Sequence, residues 1–128
     1  MADGPRDPII RTVPHPADMN GNGDIFGGWV LSQMDVAGGV LAARVANGRV
    51  ATVAITAMTF VEPIKVGDVV SIYGQVAKIG RTSITIDLET IVQRRHDAAE
   101  IQVTHGTFIF VAIDGEGKPR PVPPEGRT

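Results

Sequence analysis

Hydrophobic and polar positions divide the chain into segments of different period. Residues 8–13 form a short apolar stretch that predicts a first strand. Pro14, Pro16, Asn20, Gly21, Asn22 and Gly23 then crowd turn formers into what must be a loop. From 27 to 46 there is no proline, Leu, Met, Ala and Val dominate, and the run stops at Asn47-Gly48, a common helix C-terminal signal. This stretch is expected to be the one long helix. Gly38 and Gly39 oppose it, each costing about 1 kcal/mol against alanine, which close packing against a sheet or a partner would offset.

After Gly48 the pattern changes to four β-rich segments, 50–61, 68–79, 82–94 and 99–113, whose short breaks predict antiparallel neighbours. In 82–93, Ile84, Ile86, Leu88 and Val92 alternate with Thr85, Asp87, Glu89 and Gln93, with Ile91 as the exception, so one face should meet water. Segment 50–61 is apolar or small on both faces, as expected of a central strand covered by the helix on one side and by something else, such as another subunit, on the other. The segment from Gly115 on carries Pro119, Pro121, Pro123 and Pro124 and should be a loose tail. One strand, a loop, a helix and four antiparallel strands make an α+β arrangement. The length of 128 residues fits a single domain, with an ordered core over about 8–114 and a proline-rich tail over 115–128.

Composition narrows the chemistry. Without cysteine the chain can form no disulfide, thiol nucleophile or cysteine zinc site, which suits a reducing compartment, and a cytoplasmic location is the expectation. The polar start, with Asp3, Arg6 and Asp7, does not resemble a signal peptide, and the apolar helical run, broken by Asp35, falls short of the ~20 residues that cross a bilayer. A net charge of −2 gives no overall field to hold nucleic acid, so an anionic ligand would need a local site. His15, His96 and His105 are scattered and predict no metal site, and Ser32 lacks a Gly-x-Ser-x-Gly setting. Trp29, Phe26 and Phe60 are read most simply as core residues.

Between Asp24 and Arg44 Asp35 is the single ionisable side chain, and at 100° per residue it borders the face of Leu31, Met34, Gly38, Leu41, Ala42 and Val45. A carboxylate there loses hydration and calls for compensation, either as a satisfied structural group or as a general base or nucleophile. Just upstream, Gly27 and Gly28 enter the helix where amides lack internal partners, which is either an ordinary entry with Asp24 as N-cap or a donor site for a thioester oxygen. Gly28 and Asp35 are seven residues apart, roughly 10 Å of helix. If both act on one carbonyl, they come most naturally from two subunits. Asn20 and Asn22 suit a turn, though an amide side chain can also hold a water or a carbonyl. Gly80-Arg81-Thr82-Ser83 is either a hairpin turn or a cation with two hydroxyls suited to the phosphate and pantetheine parts of CoA. Arg94, Arg95 and His96 form a basic cluster that is either a solvated turn or a secondary phosphate contact.

The run Pro16-Ala17-Asp18-Met19-Asn20-Gly21-Asn22-Gly23-Asp24-Ile25-Phe26-Gly27-Gly28-Trp29, followed by Ser32-Gln33-Met34-Asp35, resembles the YciA-type acyl-CoA thioesterases of the hot-dog superfamily. The likeness continues through Gly48-Arg49-Val50, Met58-Thr59-Phe60, Pro63, Val66-Gly67-Asp68-Val69-Val70, Gly80-Arg81-Thr82-Ser83 and Phe110-Val111-Ala112-Ile113-Asp114, covering about residues 10–123. It implies a hot-dog fold, a curved antiparallel sheet wrapped around one long central helix. It also implies hydrolysis of acyl-CoA to free CoA and a carboxylic acid, with a broad acyl-chain range and no metal or dissociable cofactor.

By the same resemblance the catalytic aspartate falls on Asp35, the loop asparagine on Asn20 and the amide donor on Gly28. Gly27, Arg81, Thr82, Ser83 and Arg94 are the expected CoA contacts. Active sites between subunits and a homohexamer built as a trimer of dimers are further implications, as is a place in fatty acid metabolism. Many longer members carry an additional C-terminal helix, whereas the sequence here runs into a proline-rich tail. A hydratase on this fold generally relies on a histidine, and Phe26 stands where some hot-dog proteins carry it. An acyl-CoA-binding regulatory module would keep the CoA contacts but need no Asp35.

Overall fold

The computed structural model describes residues 6–124. Its elements are β1 (Ile10–Thr12), a 3-10 turn at Pro16–Asp18, α1 (Gly27–Ala46), β2 (Val50–Phe60), β3 (Val69–Ile79), β4 (Ser83–Gln93) and β5 (Glu100–Ala112). The strands form one antiparallel sheet in the order β1-β3-β4-β5-β2, with α1 packed on one face. Alternation in β4 sets that face: Ile84, Ile86, Leu88, Thr90 and Val92 are buried, whereas Thr85, Asp87 and Glu89 turn outward.

The helix has the bounds its sequence predicts. Asn47 adopts the left-handed conformation with φ 53°, and Gly48 N donates to Ala43 O at 3.1 Å, which satisfies the last carbonyls. Val30, Met34, Ala37, Gly38, Ala42 and Ala46 are its buried stripe. A Cβ on Gly38 would lie 2.9 Å from both Leu88 and the Phe110 ring, so the missing side chain is what lets the helix close on the sheet. At Gly39 the nearest atom would be 3.8 Å away, an ordinary contact, so sheet packing explains only the first of the pair.

Four expectations need correction. Segment 50–61 is not central: β2 pairs with β5 alone and forms the edge of the sheet, with Val53 57% and Ile55 40% exposed. Val53 and Ile55 therefore belong to a surface that the described residues leave partly uncovered. Nor are β2 and β3 neighbours, because the connection after Phe60 crosses beneath the helix start, where Ile64 is buried and accepts a hydrogen bond from Ile25 N at 2.8 Å. Phe26 and Phe60 are exposed, at 53% and 54%, and only Trp29 of that trio packs against the core. Finally, the segment after Gly115 is docked: Val122 is 1% exposed, and the Arg120 guanidinium donates to Ala46 O at 2.8 Å and to Ile113 O at 3.1 Å. The last four residues of the expected tail lie outside the described residues.

Candidate active site

The helix begins without a side-chain cap. Its N-cap is Phe26, whereas Asp24, the capping candidate, is ion-paired with Lys65. The amides of the first turn therefore keep the partial positive charge of a helix N-terminus with no carboxylate to quench it. A Cβ at Gly27 would meet the Phe60 ring at 3.3 Å, and a Cβ at Gly28 would meet nothing within 4 Å, so the backbone at Gly28 faces open space.

The loop before the helix is built on Asn20. Its Oδ1 accepts hydrogen bonds from Asn22 N at 2.8 Å and Asp24 N at 3.1 Å, which is the turn role read from the sequence. With the oxygen engaged in this way, the side-chain NH₂ is the group left to meet a ligand. Asn20, Gly27, Val30, Phe60, Ile64 and Thr104 line a cavity of about 290 Å³, so the asparagine and the helix start share one recess.

Asp35 stands two turns further along α1, half-buried at the edge of the apolar stripe, as its helical position predicts. Its Oδ1 accepts a hydrogen bond of 2.7 Å from the Thr52 hydroxyl on β2. One oxygen of the carboxylate is thereby fixed, and Oδ2 is left to hold a water. Thr52 is a functional candidate that sequence reasoning missed. Its signal is weak, a threonine within a mostly apolar strand, and its partner is set by a long-range pairing. Gly27 lies against Phe60 and Asp35 against Thr52, so α1 runs antiparallel to β2 and the two loci sit eight residues apart on each element. Within one chain, Asn20, Gly27 and Gly28 form one group and Asp35 with Thr52 another.

The turn carrying Arg81, Thr82 and Ser83 joins β3 to β4 at the sheet end nearer Asp35, since Thr52 pairs with Phe110 and Phe110 with Ile84. The Arg81 side chain is exposed. Arg94 is at the other end of β4, about 33 Å away at 3.3 Å per residue. Its guanidinium donates to Asp68 Oδ2 at 2.5 Å and to Pro63 O at 3.1 Å, and Asp68 also accepts Lys65 N at 2.8 Å. Asp68 is 1% exposed. Arg94 is therefore engaged in neutralising a buried carboxylate.

A larger concavity, about 720 Å³, lies on the opposite sheet face among Tyr73, Asp87, Glu89, Gln102, His105 and Thr107. Burial raises the Glu89 pKa, but hydrogen bonds from Arg6 and Gln102, together with the charges of Arg6 and His105, outweigh it and hold the carboxyl below its ordinary range. Among the described residues no group of three His, Cys, Asp or Glu side chains comes together that could hold a metal ion, and no helix is long and apolar enough to cross a membrane.

One long helix packed on a five-stranded antiparallel sheet, with a carboxylate mid-helix and open amides at its start, is the arrangement of a hot-dog protein. Known proteins make the assignment specific. The family model described as "Thioesterase superfamily" matches residues 22–99. The acyl-CoA thioester hydrolase YciA of Salmonella typhimurium is 48% identical over 121 residues, 92% of this chain and 91% of the relative. The crystal structure of HI0827, a hexameric broad specificity acyl-coenzyme A thioesterase, superposes with a TM-score of 0.87 at 46% identity, covering 97% of this chain and 86% of that one. The hexameric thioesterase y2039 from Yersinia pestis gives 0.88 at 45% identity, over 96% and 98% of the two chains. The chain belongs to the thioesterase superfamily, among its YciA-type acyl-CoA thioester hydrolases.

Proposed function

We propose that this protein hydrolyses acyl-CoA thioesters of broad chain length to free CoA and a carboxylic acid, with Asp35 as general base. The observation that carries the assignment of the base is the hydrogen bond from Thr52 to Asp35 Oδ1, which orients the carboxylate at the border of the apolar stripe. A water held by Oδ2 attacks the thioester carbonyl and yields its proton to Asp35. The Gly28 amide and the Asn20 NH₂ group stabilise the oxyanion of the tetrahedral intermediate. Collapse breaks the C–S bond, and the CoA sulfur leaves with the proton taken up by Asp35. No metal or dissociable cofactor is needed for this sequence.

The two halves of that machinery come from different subunits. Separation of Asn20 and Gly28 from Asp35 and Thr52 within one chain supports this reading, as does the uncovered edge of β2 with its exposed Val53 and Ile55. A second copy that pairs at this edge brings its own helix start beside Asp35, and three such dimers make a hexamer like those of the relatives. Arg81, Thr82 and Ser83 then receive the phosphate and pantetheine parts of CoA, beside Gly27.

Release of CoA thiol from a panel of short to long acyl-CoAs tests the proposal, comparing the natural chain with Asp35→Ala. Turnover that falls at least ~100-fold in a folded variant is the expected result, within the range for loss of a general base. Binding of acyl-CoA without thiol release would make the protein a binding module. Retained activity in Asp35→Ala would remove the aspartate from the mechanism.

A further inference from the structure

The turn at 80–83 has its carbonyl oxygens taken by donors from three places. Arg81 O accepts from Val122 N at 2.8 Å, Thr82 O from Ala112 N at 2.9 Å and Ser83 O from Gly80 N at 2.8 Å. A phosphate is bound by donors and repelled by free carbonyl oxygens, so a turn with the carbonyls of Arg81, Thr82 and Ser83 engaged favours an anion. The last two bonds belong to β5 and to the turn itself. The first is supplied by the far end of the chain.

That end is fastened as a strap. Asp114 Oδ1 accepts Glu116 N at 2.8 Å and Lys118 N at 3.0 Å, which reverses the chain after β5. Pro119 then bridges to Ile113, and Arg120 N donates to Ala112 O at 2.9 Å. The Arg120 guanidinium ties the strap to the helix C-terminus through Ala46 O, and the Val122 side chain enters the core at 1% exposure. Residues 121, 123 and 124 are prolines without an N–H, so Val122 carries the one backbone donor of this stretch, and it is the one that meets Arg81.

We propose that the strap is a specificity device and that Val122, through its N–H on Arg81 O, is a positioning residue for recognition of the phosphorylated end of CoA. This rests on the reading of the 81–83 turn as a CoA contact. The described hydrogen bonds of the strap run to the helix C-terminus, to the end of β5 and to the 81–83 turn, so its effect is expected on substrate binding and not on the chemical step. By linkage, a strap that favours CoA binding is itself held more firmly when CoA is bound.

Steady-state kinetics on an acyl-CoA and on the pantetheine thioester of the same acyl group, which lacks the nucleotide and its phosphates, test this in the full-length protein. Val122→Pro deletes the N–H in a stretch already biased to extended backbone by the following proline. The expected result is a rise of about fivefold in KM for acyl-CoA, the worth of one hydrogen bond, with kcat and both constants for acyl-pantetheine within about twofold of the natural chain. Arg81→Ala also raises KM for acyl-CoA, and in that background Val122→Pro adds nothing further.

Arg81→Ala with an unchanged KM for acyl-CoA would overturn the CoA reading of the turn, and the role of the strap with it. A raised KM for Arg81→Ala with an unchanged one for Val122→Pro would overturn the strap alone. Equal losses on both thioesters would make Val122 merely structural. Amide hydrogen exchange over residues 118–124 of the natural chain gives a second readout that no variant's folding affects: saturating free CoA is expected to slow it several-fold, and unchanged exchange overturns the proposal.

Discussion

The Thr52 hydroxyl stands 2.7 Å from Asp35 Oδ1 and joins the central helix to the edge strand through the proposed catalytic carboxylate. A hydrogen bond to a charged group is worth about 1.5–3 kcal/mol, and about 1.4 kcal/mol is tenfold in rate. Thr52→Val is therefore expected to lower kcat tenfold or more while leaving KM close to that of the natural chain. Thr52→Ser, which keeps the hydroxyl, restores most of the rate; equal losses in both variants would show that the methyl group and not the hydrogen bond matters.

Division of the site between subunits has a direct signature. Asp35→Ala and Asn20→Ala chains, each nearly inactive alone, are expected to regain activity when unfolded together and refolded as a mixture. In a mixed dimer one of the two sites combines an intact Asp35 with an intact Asn20. Thiol release that stays at the level of the separate variants would place the whole site within one chain.

Arg94 neutralises Asp68, whose side chain is 2% exposed. Arg94→Ala leaves a carboxylate buried without its cation, a change that costs about 3–5 kcal/mol in comparable pairs. Denaturant unfolding is expected to show that loss, whereas KM for acyl-CoA in the folded protein stays unchanged. A raised KM with intact stability would return Arg94 to the substrate site.

Gly38→Ala and Gly39→Ala are expected to act in opposite directions despite their adjacency. At Gly38 the added methyl lies 2.9 Å from Leu88 and Phe110, and such overpacking costs about 1–3 kcal/mol. At Gly39 the added methyl meets the Phe110 ring at an ordinary 3.8 Å, and alanine gains roughly 1 kcal/mol of helix propensity. Thermal unfolding of the two variants distinguishes them.

Glu89 on the outer face supplies a pH dependence. Its carboxyl is held below the ordinary range, so its stabilising contribution is complete above its unfolded value of about 4.3 and is lost as pH falls through the lower folded value. Glu89→Gln is expected to lower stability at pH 7, and the difference from the natural chain closes as pH falls below about 4. A gap that widens in acid would reverse the sign.

Much of this was legible in the sequence because local signals agreed. The helix from Gly27 to Ala46 has a proline-free apolar run and a terminator at Asn47-Gly48, and β4 alternates with period two. Asp35 stood out as the one acidic side chain on a long helix. What stayed hidden depends on pairings between distant residues. Thr52 meets Asp35 across the helix and sheet, Arg94 meets Asp68 across two strand ends, and Val122 meets Arg81 from 41 positions further along the sequence. Counting prolines predicted a loose tail, yet the residue between them docks. Phe26 and Phe60 misled for a related reason: their apolar character suggested a core within the chain, while both are exposed beside the helix start.

The open edge of β2 carries one more consequence. Among the described residues no strand pairs with the outer side of β2, and such an edge with apolar side chains is a template on which other strands add, and so an aggregation hazard for a lone subunit. If a second copy covers it, the contact that completes the catalytic machinery also removes the hazard. Substitutions that weaken that seam would then be exposed twice to selection, through lost turnover and through lost solubility, which leaves the edge less free to drift than the rest of the surface.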